Sequence, residues 1–340
     1  MNTFTPILEK LASGQPLDTA MARDAFCQIM DGEIDNAQIG AFLMGLRITG
    51  ESTSIITEGA LALRARLSPV NAPKGAIDTC GTGGDSKGTY NISTAAALIV
   101  AGAGVCVAKH GNKALSSKSG SAEVLEELGV RMQISPAQVE ACMTGANIGF
   151  MFAPALHVAM RHVAHARRAL GIRSIFNLVG PLSNPAGVRH QLLGVFDAKW
   201  SEPMAKALHQ LGGSRAWVVH GSDGLDEITT TGPTRVSALE NGQVKTFDIQ
   251  PEDFDIPRAS ENDLVGGDPA HNARAIRALL AGERGPFRDI ALLNAGAAVY
   301  VAGQAPDVRT GIAQCEKALD EGKAAEALTK LVRLSNEPEA

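Results

Sequence analysis

A glycine-rich segment in the first third of the chain carries residue types that bind anions. It reads DTCGTGGDSKGTYNIST over residues 78–94 and lies between an apolar segment and an alanine-rich one. Glycine permits positive φ angles and close approach of backbone N–H groups to a ligand, which applies here to Gly81, Gly83 and Gly84. Asn91, Ser93 and Thr94 stand where a helix is predicted to begin, and helix N-termini attract anions. The spacing matches neither a P-loop nor a dinucleotide-binding motif. The segment therefore predicts another kind of anion cradle or, taken alone, a tight turn without a ligand.

A second polar segment, AKHGNKALSSKSGS, spans residues 108–121 between the strand-like GVCVA and the helical SAEVLEELG. Its charged and hydroxyl side chains are Lys109, Lys113, Lys118, Ser116, Ser117, Ser119 and Ser121. Lysines act on phosphates as point charges, and hydroxyls donate hydrogen bonds to phosphate oxygens. Ligands of open α/β sheets bind at the carboxyl ends of the strands. Two anion-compatible segments that leave consecutive strands favour a phosphate site over the alternative, a solvated polar loop.

A third segment, HGSDGLDEITTTG, places Asp226 and Glu227 side by side after the strand-like RAWVVH. Taken alone, this pair is typical of surface charge. Beside a phosphorylated ligand, however, two carboxylates are what Mg²⁺ needs, because this ion binds one or two carboxylates, substrate phosphates and several waters. The three segments together predict a magnesium-bound polyphosphate.

The histidines do not predict a zinc site. His157, His162 and His165 share one helical segment without an accompanying carboxylate or cysteine. His157 is expected to line a pocket wall or to pack in the core. Arg167 and Arg168 are by default solvated charges on the same helix.

The elements that must hold these segments follow from hydrophobic periodicity. Residues 1 to about 69 predict helices alone, with N-caps at Asp18, Asp35 and Ser52 and stops at Gly32 and Gly50. From residue 76 onward, helical segments alternate with the strand-like AIDTC, GVCVA, IGFMFA, HQLLGVF and RAWVVH. This alternation predicts a mainly parallel sheet covered by helices. Residues 229–249 predict a hairpin or a meander near the sheet edge, and the C-terminal segments predict helices to the end.

Composition excludes several classes of function. The chain has 340 residues, a net charge of −5 and 45% hydrophobic residues, and its charges are well mixed, so a nucleic-acid-binding face is not predicted. Neither a signal peptide nor a membrane span is indicated, and we expect a cytoplasmic protein. The five cysteines are scattered without a C-x-x-C pair, which favours free thiols over disulfides or a zinc site.

Six motifs in this order resemble the anthranilate phosphoribosyltransferase family: GTGGD, NIST, KHGN, SSKSGSAEVLEELG, RSIFNLVGPLSNPAG and DGLDEI. The resemblance covers nearly the whole chain. It implies transfer of the 5-phosphoribosyl group from phosphoribosyl pyrophosphate to the amine of anthranilate, with Mg²⁺, in tryptophan biosynthesis. It also implies a small helical domain, residues 1–69 with a returning segment at about 170–190, hinged to an α/β domain of residues 70–340. Relatives are usually homodimers joined through the helical domains.

Carried over position by position, the family pattern implies the site residues. The phosphoribosyl pyrophosphate site falls to Gly81, Gly84, Asp85, Thr89, Asn91, Ile92, Ser93, Thr94, Lys109, His110, Gly111, Asn112, Lys113, Ala114, Leu115, Ser116, Ser117 and Ser121. The pattern assigns magnesium binding to Ser93, Asp226 and Glu227. It assigns anthranilate binding to Gly81, Asn112, Arg167, His110, His157 and Pro181. The pattern implies no catalytic nucleophile, because positioning and electrostatics can carry the reaction.

The sequence departs from the family pattern at three positions. Lys113 stands where relatives commonly have arginine. Lysine keeps the positive charge but cannot form the bidentate hydrogen bonds that arginine forms with phosphate. Leu156 and Val158 replace histidine and proline and are expected to make the pocket wall more apolar. Three other functions stay open. They are a pyrimidine nucleoside phosphorylase of the same architecture, a phosphoribosyltransferase that uses a different aromatic amine acceptor, and a non-catalytic nucleic-acid-binding relative. The net charge of −5 and the Asp226–Glu227 pair count against the last of these.

Overall fold

The N-terminal helices begin and end where their capping residues predict. The computed structural model describes residues 4–84, 87–113 and 119–338. Its first helices are α1 (Thr5–Ala12), α2 (Thr19–Asp31), α3 (Asn36–Thr49) and α4 (Thr53–Arg64). Asp18, Asp35 and Ser52 accept hydrogen bonds from backbone N–H groups of the first turns of α2, α3 and α4, and Gly32 ends α2 with a φ of 78°. The predicted caps and stops are therefore confirmed, and they set the lengths of these helices.

Eleven further α-helices occur in the described residues. They are α5 (Ile92–Gly102), α6 (Ser121–Glu127), α7 (Pro136–Ala146), α8 (Ala153–Leu156), α9 (Arg161–Leu170), α10 (Phe176–Val179), α11 (Ser201–Gln210), α12 (Pro269–Leu280), α13 (Pro286–Val301), α14 (Val308–Asp320) and α15 (Lys323–Asn336). The helical C-terminus is divided at Gly322, whose φ of 74° interrupts the helix between α14 and α15. None of the helices within the described ranges is long and apolar enough to cross a membrane.

Among the residues that the structure describes, the sheet has seven strands in the order β3-β2-β1-β4-β5-β6-β7. The strands are β1 (Ile77–Gly81), β2 (Val107–Gly111), β3 (Ile148–Phe152), β4 (His190–Gly194), β5 (Arg215–Gly221), β6 (Thr234–Glu240) and β7 (Gln243–Ile249). The first five pair in parallel, and the hairpin β6–β7 adds to the edge in antiparallel orientation. The predicted parallel sheet with an edge hairpin is confirmed. Its parallel strands bring their carboxyl ends to one edge, where ligands of such sheets bind.

The two largest of four hydrophobic clusters among the described residues support that edge. The larger core places the apolar helices α5 and α13 against one face of the sheet. The second core joins α1–α4 with α9, α10, α11 and the opposite face of the strands. Within it Phe26 packs edge-on against Phe42 and Phe176, with ring centroids 5.5 and 6.1 Å apart. The segment around α10 thus returns to the N-terminal helices, and the molecule is a helical domain plus a larger α/β domain.

Two local expectations need correction. Strand β2 continues through Gly111, because Lys109, His110 and Gly111 pair with β3, so these residues belong to the sheet and not to the following loop. Leu156 is 4% exposed and packs in a core cluster with Val70, Ala108 and Met151, so it does not make a pocket wall more apolar. Val158, by contrast, is exposed.

Candidate active site

The carboxyl ends of β1 and β4 are shaped to receive Asp226. Gly81 and Gly194 are paired neighbours at these two strand ends. A Cβ atom on Gly81 would collide with the Asp226 carboxylate, and one on Gly194 would collide with the Asp226 backbone carbonyl. Glycine is therefore required at both positions by close approach. The glycine loop and the carboxylate pair, which are far apart in the sequence, meet at this edge.

The two carboxylates hold both halves of the glycine segment. Asp226 Oδ2 accepts a hydrogen bond of 2.8 Å from Gly83 N, and Glu227 Oε1 accepts one of 3.0 Å from Ser93 N at the start of α5. Each carboxylate has a second oxygen, and Ser93 adds a hydroxyl nearby. Hard oxygen donors on one side of the site fit Mg²⁺ that retains water and binds ligand phosphate. Within the described ranges no three or more His, Cys, Asp or Glu side chains cluster in a way that could hold a metal ion.

Asn91 connects the start of α5 with two other segments. Its Oδ1 accepts hydrogen bonds from Ser119 Oγ (3.0 Å) and from Asn272 Nδ2 of α12 (2.8 Å). The predicted helix start is confirmed, since α5 begins at Ile92 with Asn91 as its N-cap. The buried hydroxyl of Thr94 has no hydrogen-bond partner among the described residues. Asn91 therefore orients the N-terminus of α5 instead of capping it with its own side chain.

Other predicted phosphate-site residues surround this helix start. Thr89 forms an isolated antiparallel bridge with Val265. Asn112 follows β2 and Ser121 begins α6, and Ser121 Oγ donates a 3.4 Å hydrogen bond to Asn112 O. Lys113 forms an exposed ion pair of 3.2 Å with Glu126 of α6. Five further predicted residues lie outside the described ranges, namely Asp85, Ala114, Leu115, Ser116 and Ser117.

Lys109 lies beneath the site instead of on its surface. The residue is 1% exposed, and its ammonium group donates a hydrogen bond to Thr79 O of β1. Burial lowers the pKa of Lys109, while the negative charges of Asp78, Glu227 and Asp226 oppose that shift. Lys109 therefore lies at the base of the site, where it interacts electrostatically with both carboxylates of the pair.

Asp78 is a site-supporting residue that the sequence analysis missed. Its carboxylate is fully buried on β1 and accepts hydrogen bonds from His110 N (3.1 Å) and from Asn184 Nδ2 (2.8 Å). Burial raises the pKa of Asp78, and these hydrogen bonds act in the opposite direction. Asp78 ties β1 to β2 and to the returning segment. Its position inside an apolar strand was the available signal, because a buried charge needs partners.

Two histidines meet at the inner wall of the site. The Nε2 atoms of His110 and His157 are 2.9 Å apart, and both residues are buried. Burial lowers the pKa of His157 to about 4 and holds the pKa of His110 well below its usual value. Both rings are neutral at pH 7, and one Nε2–H donates to the other Nε2. The sequence prediction that His157 lines a wall or packs in the core is consistent with this position.

Helix α9 and the returning segment, which pack on the N-terminal helices, contribute two arginines. Arg167 on α9 is half-buried, and its guanidinium lies 5.7 Å from the Phe176 ring centroid. Burial lowers the pKa of Arg167, although the group stays charged, and it forms no ion pair with any residue described by the structure. Arg173 was not predicted from the sequence. It donates a 3.0 Å hydrogen bond to Gly84 O and lies over the Phe196 ring at 4.6 Å.

Pro181 lies in the returning segment between these arginines and the sheet. Its carbonyl accepts a 2.8 Å hydrogen bond from Gln191 Nε2 of β4. The same amide group contacts Cys80 Sγ on β1 at 3.1 Å. Gln191 thereby fixes the returning segment against the strand ends.

Known proteins match this chain along nearly its whole length. A model described as the glycosyl transferase family, a/b domain, matches residues 73–325, and the corresponding helical bundle domain matches residues 5–67. The anthranilate phosphoribosyltransferase of Parvibaculum lavamentivorans is 56% identical over 336 residues, which cover 99% of this chain and 98% of that protein. The chain belongs to the anthranilate phosphoribosyltransferase family.

Solved structures of anthranilate phosphoribosyltransferases share the fold. The Thermus thermophilus protein has a TM-score of 0.92 at 40% identity, with 97% of this chain and 99% of that chain covered. The Saccharomyces cerevisiae protein in complex with phosphoribosyl pyrophosphate and Mg has a TM-score of 0.90 at 28% identity, with 98% of each chain covered. The yeast protein with 4-fluoroanthranilate has a TM-score of 0.88 at 27% identity, with the same coverage.

Proposed function

We propose that the protein transfers the 5-phosphoribosyl group from phosphoribosyl pyrophosphate to the amine of anthranilate, releasing pyrophosphate, as a step of tryptophan biosynthesis. The observation that carries the proposal is the carboxylate pair. Asp226 and Glu227 bond the glycine loop and the start of α5 at 2.8 and 3.0 Å and so close an oxygen-rich site at the sheet edge. The family and the yeast complex with phosphoribosyl pyrophosphate and Mg supply the chemistry that such a site can perform.

The sugar donor is assigned to the sheet edge. Its phosphates would meet backbone N–H groups of the glycine loop, the N-terminus of α5 and the segment after β2. The Thr94 hydroxyl at that helix start has no partner among the described residues. Magnesium would be held by Ser93, Asp226 and Glu227, and when bound it would neutralise charge on the departing pyrophosphate. The assignments to Asp85 and residues 114–117 rest on the family pattern alone.

Anthranilate is assigned to the wall between the sheet and the helical domain. Arg167 is a half-buried guanidinium without an acidic partner among the described residues, and it suits the carboxylate of the acceptor. His110 and His157, held neutral by burial, offer a wall that does not attract the carboxylate away from Arg167. Gly81, Asn112 and Pro181 complete the assigned contacts.

The reaction needs positioning more than a strong base. The bond between C1 of ribose and the pyrophosphate oxygen breaks, the anthranilate nitrogen bonds to C1, and one proton leaves that nitrogen. An aromatic amine is unprotonated at neutral pH, so its lone pair is available for attack. The chain aligns the two ligands, and such alignment can contribute about 7–11 kcal/mol in favourable cases. Closure of the helical domain, residues 1–69 with the returning segment, would exclude water that competes for the sugar.

Loss of anthranilate fluorescence on addition of phosphoribosyl pyrophosphate tests this function. We expect decay that requires both Mg²⁺ and the sugar donor, with pyrophosphate as the second product. A flat trace from folded protein would contradict the proposal. Phosphorolysis of pyrimidine nucleosides in the same preparation would then support the alternative enzyme, and nucleic-acid binding without turnover would support the non-catalytic relative.

A homodimer joined through the helical domains is also part of the proposal. Ile48 on α3 is 75% exposed, and Met44 and Leu61 on the same domain are exposed apolar side chains. Burial of such side chains in a second copy would remove them from water. Light scattering after size exclusion should give twice the chain mass, and a monomer at micromolar concentration would contradict this part. The cytoplasmic location stays a prediction.

A further inference from the structure

The carboxylate loop, defined as residues 222–231, is fixed at its C-terminal side by one buried amide. Asn294 of α13 accepts a 3.0 Å hydrogen bond from Ile228 N and donates one of 2.8 Å to Ile228 O. The same Nδ2 group donates to Ile290 O of its own helix at 2.9 Å. The side chain therefore brackets the backbone of the residue that directly follows Glu227.

The N-terminal side of the carboxylate loop is fixed by an independent network. The Asp223 carboxylate accepts hydrogen bonds from Thr229 Oγ1 (2.6 Å), Thr231 Oγ1 (2.7 Å) and Leu225 N (3.2 Å). Gly224 turns the chain within this network with a φ of 90°. The two carboxylates of the pair thus project from a loop that is held at both sides.

Packing alone does not account for an asparagine at this position. Asn294 is 1% exposed on a helix whose buried neighbours Leu292, Leu293 and Ala295 are apolar. Burying an amide costs free energy unless hydrogen bonds replace those to water. The side chain of Asn294 directs both its carbonyl oxygen and its amide group to Ile228, and so satisfies a loop backbone that would otherwise lie buried and unpaired.

We propose that Asn294 is a positioning residue that sets the metal affinity of the Asp226–Glu227 pair. It acts through the backbone of Ile228 and touches neither the metal nor a substrate. The inference rests on the proposed function, because it takes the carboxylate pair as the metal site. Groups that orient metal ligands typically change metal affinity about 10- to 100-fold when they are removed.

The test measures metal binding directly. Mn²⁺ is used in place of Mg²⁺ and is titrated into the whole protein in the presence of inorganic pyrophosphate. Bound Mn²⁺ is measured by electron paramagnetic resonance, for the wild type and for Asn294→Ala. We expect the half-saturating Mn²⁺ concentration to rise about tenfold. The KM for anthranilate at saturating metal should stay within about twofold, since the helical-domain wall is unaffected.

A matched control separates positioning from general destabilisation. Gln138 is likewise buried, and its Nε2 group donates to the backbone carbonyls of Leu334, Ser335 and Glu337 near the C-terminus. We expect Gln138→Ala to lower the unfolding temperature without changing Mn²⁺ affinity. If Asn294→Ala does not fold, Thr231→Val serves instead, because it removes one hydrogen bond to Asp223 at the other side of the loop. We expect a rise of about two- to threefold in half-saturating Mn²⁺ for that variant.

The outcomes distinguish this inference from the proposed function. Unchanged Mn²⁺ affinity in Asn294→Ala, or in Thr231→Val if it carries the test, would overturn the positioning role and leave the transferase function standing. An equal loss of affinity in Gln138→Ala would also overturn it. Unchanged Mn²⁺ affinity in a protein with Asp226→Asn and Glu227→Gln would instead overturn the metal assignment, and the positioning role with it.

Discussion

The two walls of the candidate site are built in different ways. On the sheet edge, the charged side chains bond to the protein itself, as Asp226 bonds to Gly83, Glu227 to Ser93 and Lys109 to Thr79. On the helical-domain wall, the guanidinium of Arg167 lies over an aromatic ring and forms no ion pair with the residues that the structure describes. The sheet edge is thus held together by its own hydrogen bonds, whereas the helical wall holds a guanidinium that has no ionic partner among the described residues.

This difference fits the two ligands of the proposed reaction. A pyrophosphate carries several charges, and a site for it gains from donors and acceptors that are already fixed. An aromatic carboxylate needs one cation and a flat apolar surface. We therefore expect damage to the sheet edge to lower turnover itself, and damage to the helical wall chiefly to raise the KM of one substrate.

The largest effect is expected from the carboxylate pair. Asp226→Asn together with Glu227→Gln keeps the shape of the loop but removes two negative charges that a metal needs. We expect kcat to fall about 100- to 1,000-fold or more, as when groups that stabilise transition-state charge are removed. Steady-state fluorescence at several Mg²⁺ concentrations measures the change. Asp248→Asn, which removes an exposed charge paired with Arg235 on the distant hairpin, is the control. Near-normal turnover at saturating Mg²⁺ would refute the metal assignment.

A smaller and more selective effect is expected from Arg167. Arg167→Ala removes the guanidinium from the helical wall, and a charge-assisted hydrogen bond is worth about 1.5–3 kcal/mol. We therefore expect the KM for anthranilate to rise about 10- to 100-fold, with little change in the KM for phosphoribosyl pyrophosphate. Arg168→Ala, an exposed neighbour on the same helix, is the matched control. Equal increases in both KM values would show that Arg167 supports the fold or the hinge instead of the acceptor.

The sequence predicted the sheet edge better than the helical wall, for a physical reason. Glycine loops, helix starts and paired carboxylates are local sequence patterns. The glycine segment and Asp226–Glu227 can therefore be recognised in the sequence without knowledge that the fold brings them into contact. The role of Arg167 came from the family pattern, because a helical arginine is by default a solvated charge. Asp78, Asn184 and Arg173 act through contacts between distant segments. The length of β2 was also missed, because pairing of Lys109–Gly111 with β3 outweighed the polar composition of that segment.

The contact between the two walls gives a third test. Arg173 belongs to the returning segment, yet it bonds to Gly84 O on the glycine loop and lies over Phe196. We expect Arg173→Ala to raise the Kd for phosphoribosyl pyrophosphate about three- to tenfold, because the loop loses one exposed hydrogen bond. Isothermal titration of the sugar donor checks this. Arg173→Lys should restore part of the affinity, since lysine keeps the charge and one donor but not the planar stacking. Unchanged affinity in Arg173→Ala would mean that the two walls act independently.

The smallest effect is expected from the buried histidine pair, which adjoins both walls. The pKa of His157 is about 4 in the folded protein, and that of an unfolded histidine is about 6.5. As the pH falls below about 6.5, His157 takes up a proton in the unfolded chain but not in the folded protein. Its contribution to the free energy of unfolding is therefore fully present above about pH 6.5 and is lost progressively toward pH 4. We expect His157→Asn, whose amide can still bond to His110, to lose less stability than the wild type between about pH 7.5 and pH 5. The difference should be on the order of 1–2 kcal/mol in urea unfolding. Parallel curves for the two proteins would show that His157 is not kept neutral by burial, and the neutral wall assigned to anthranilate would lose its basis.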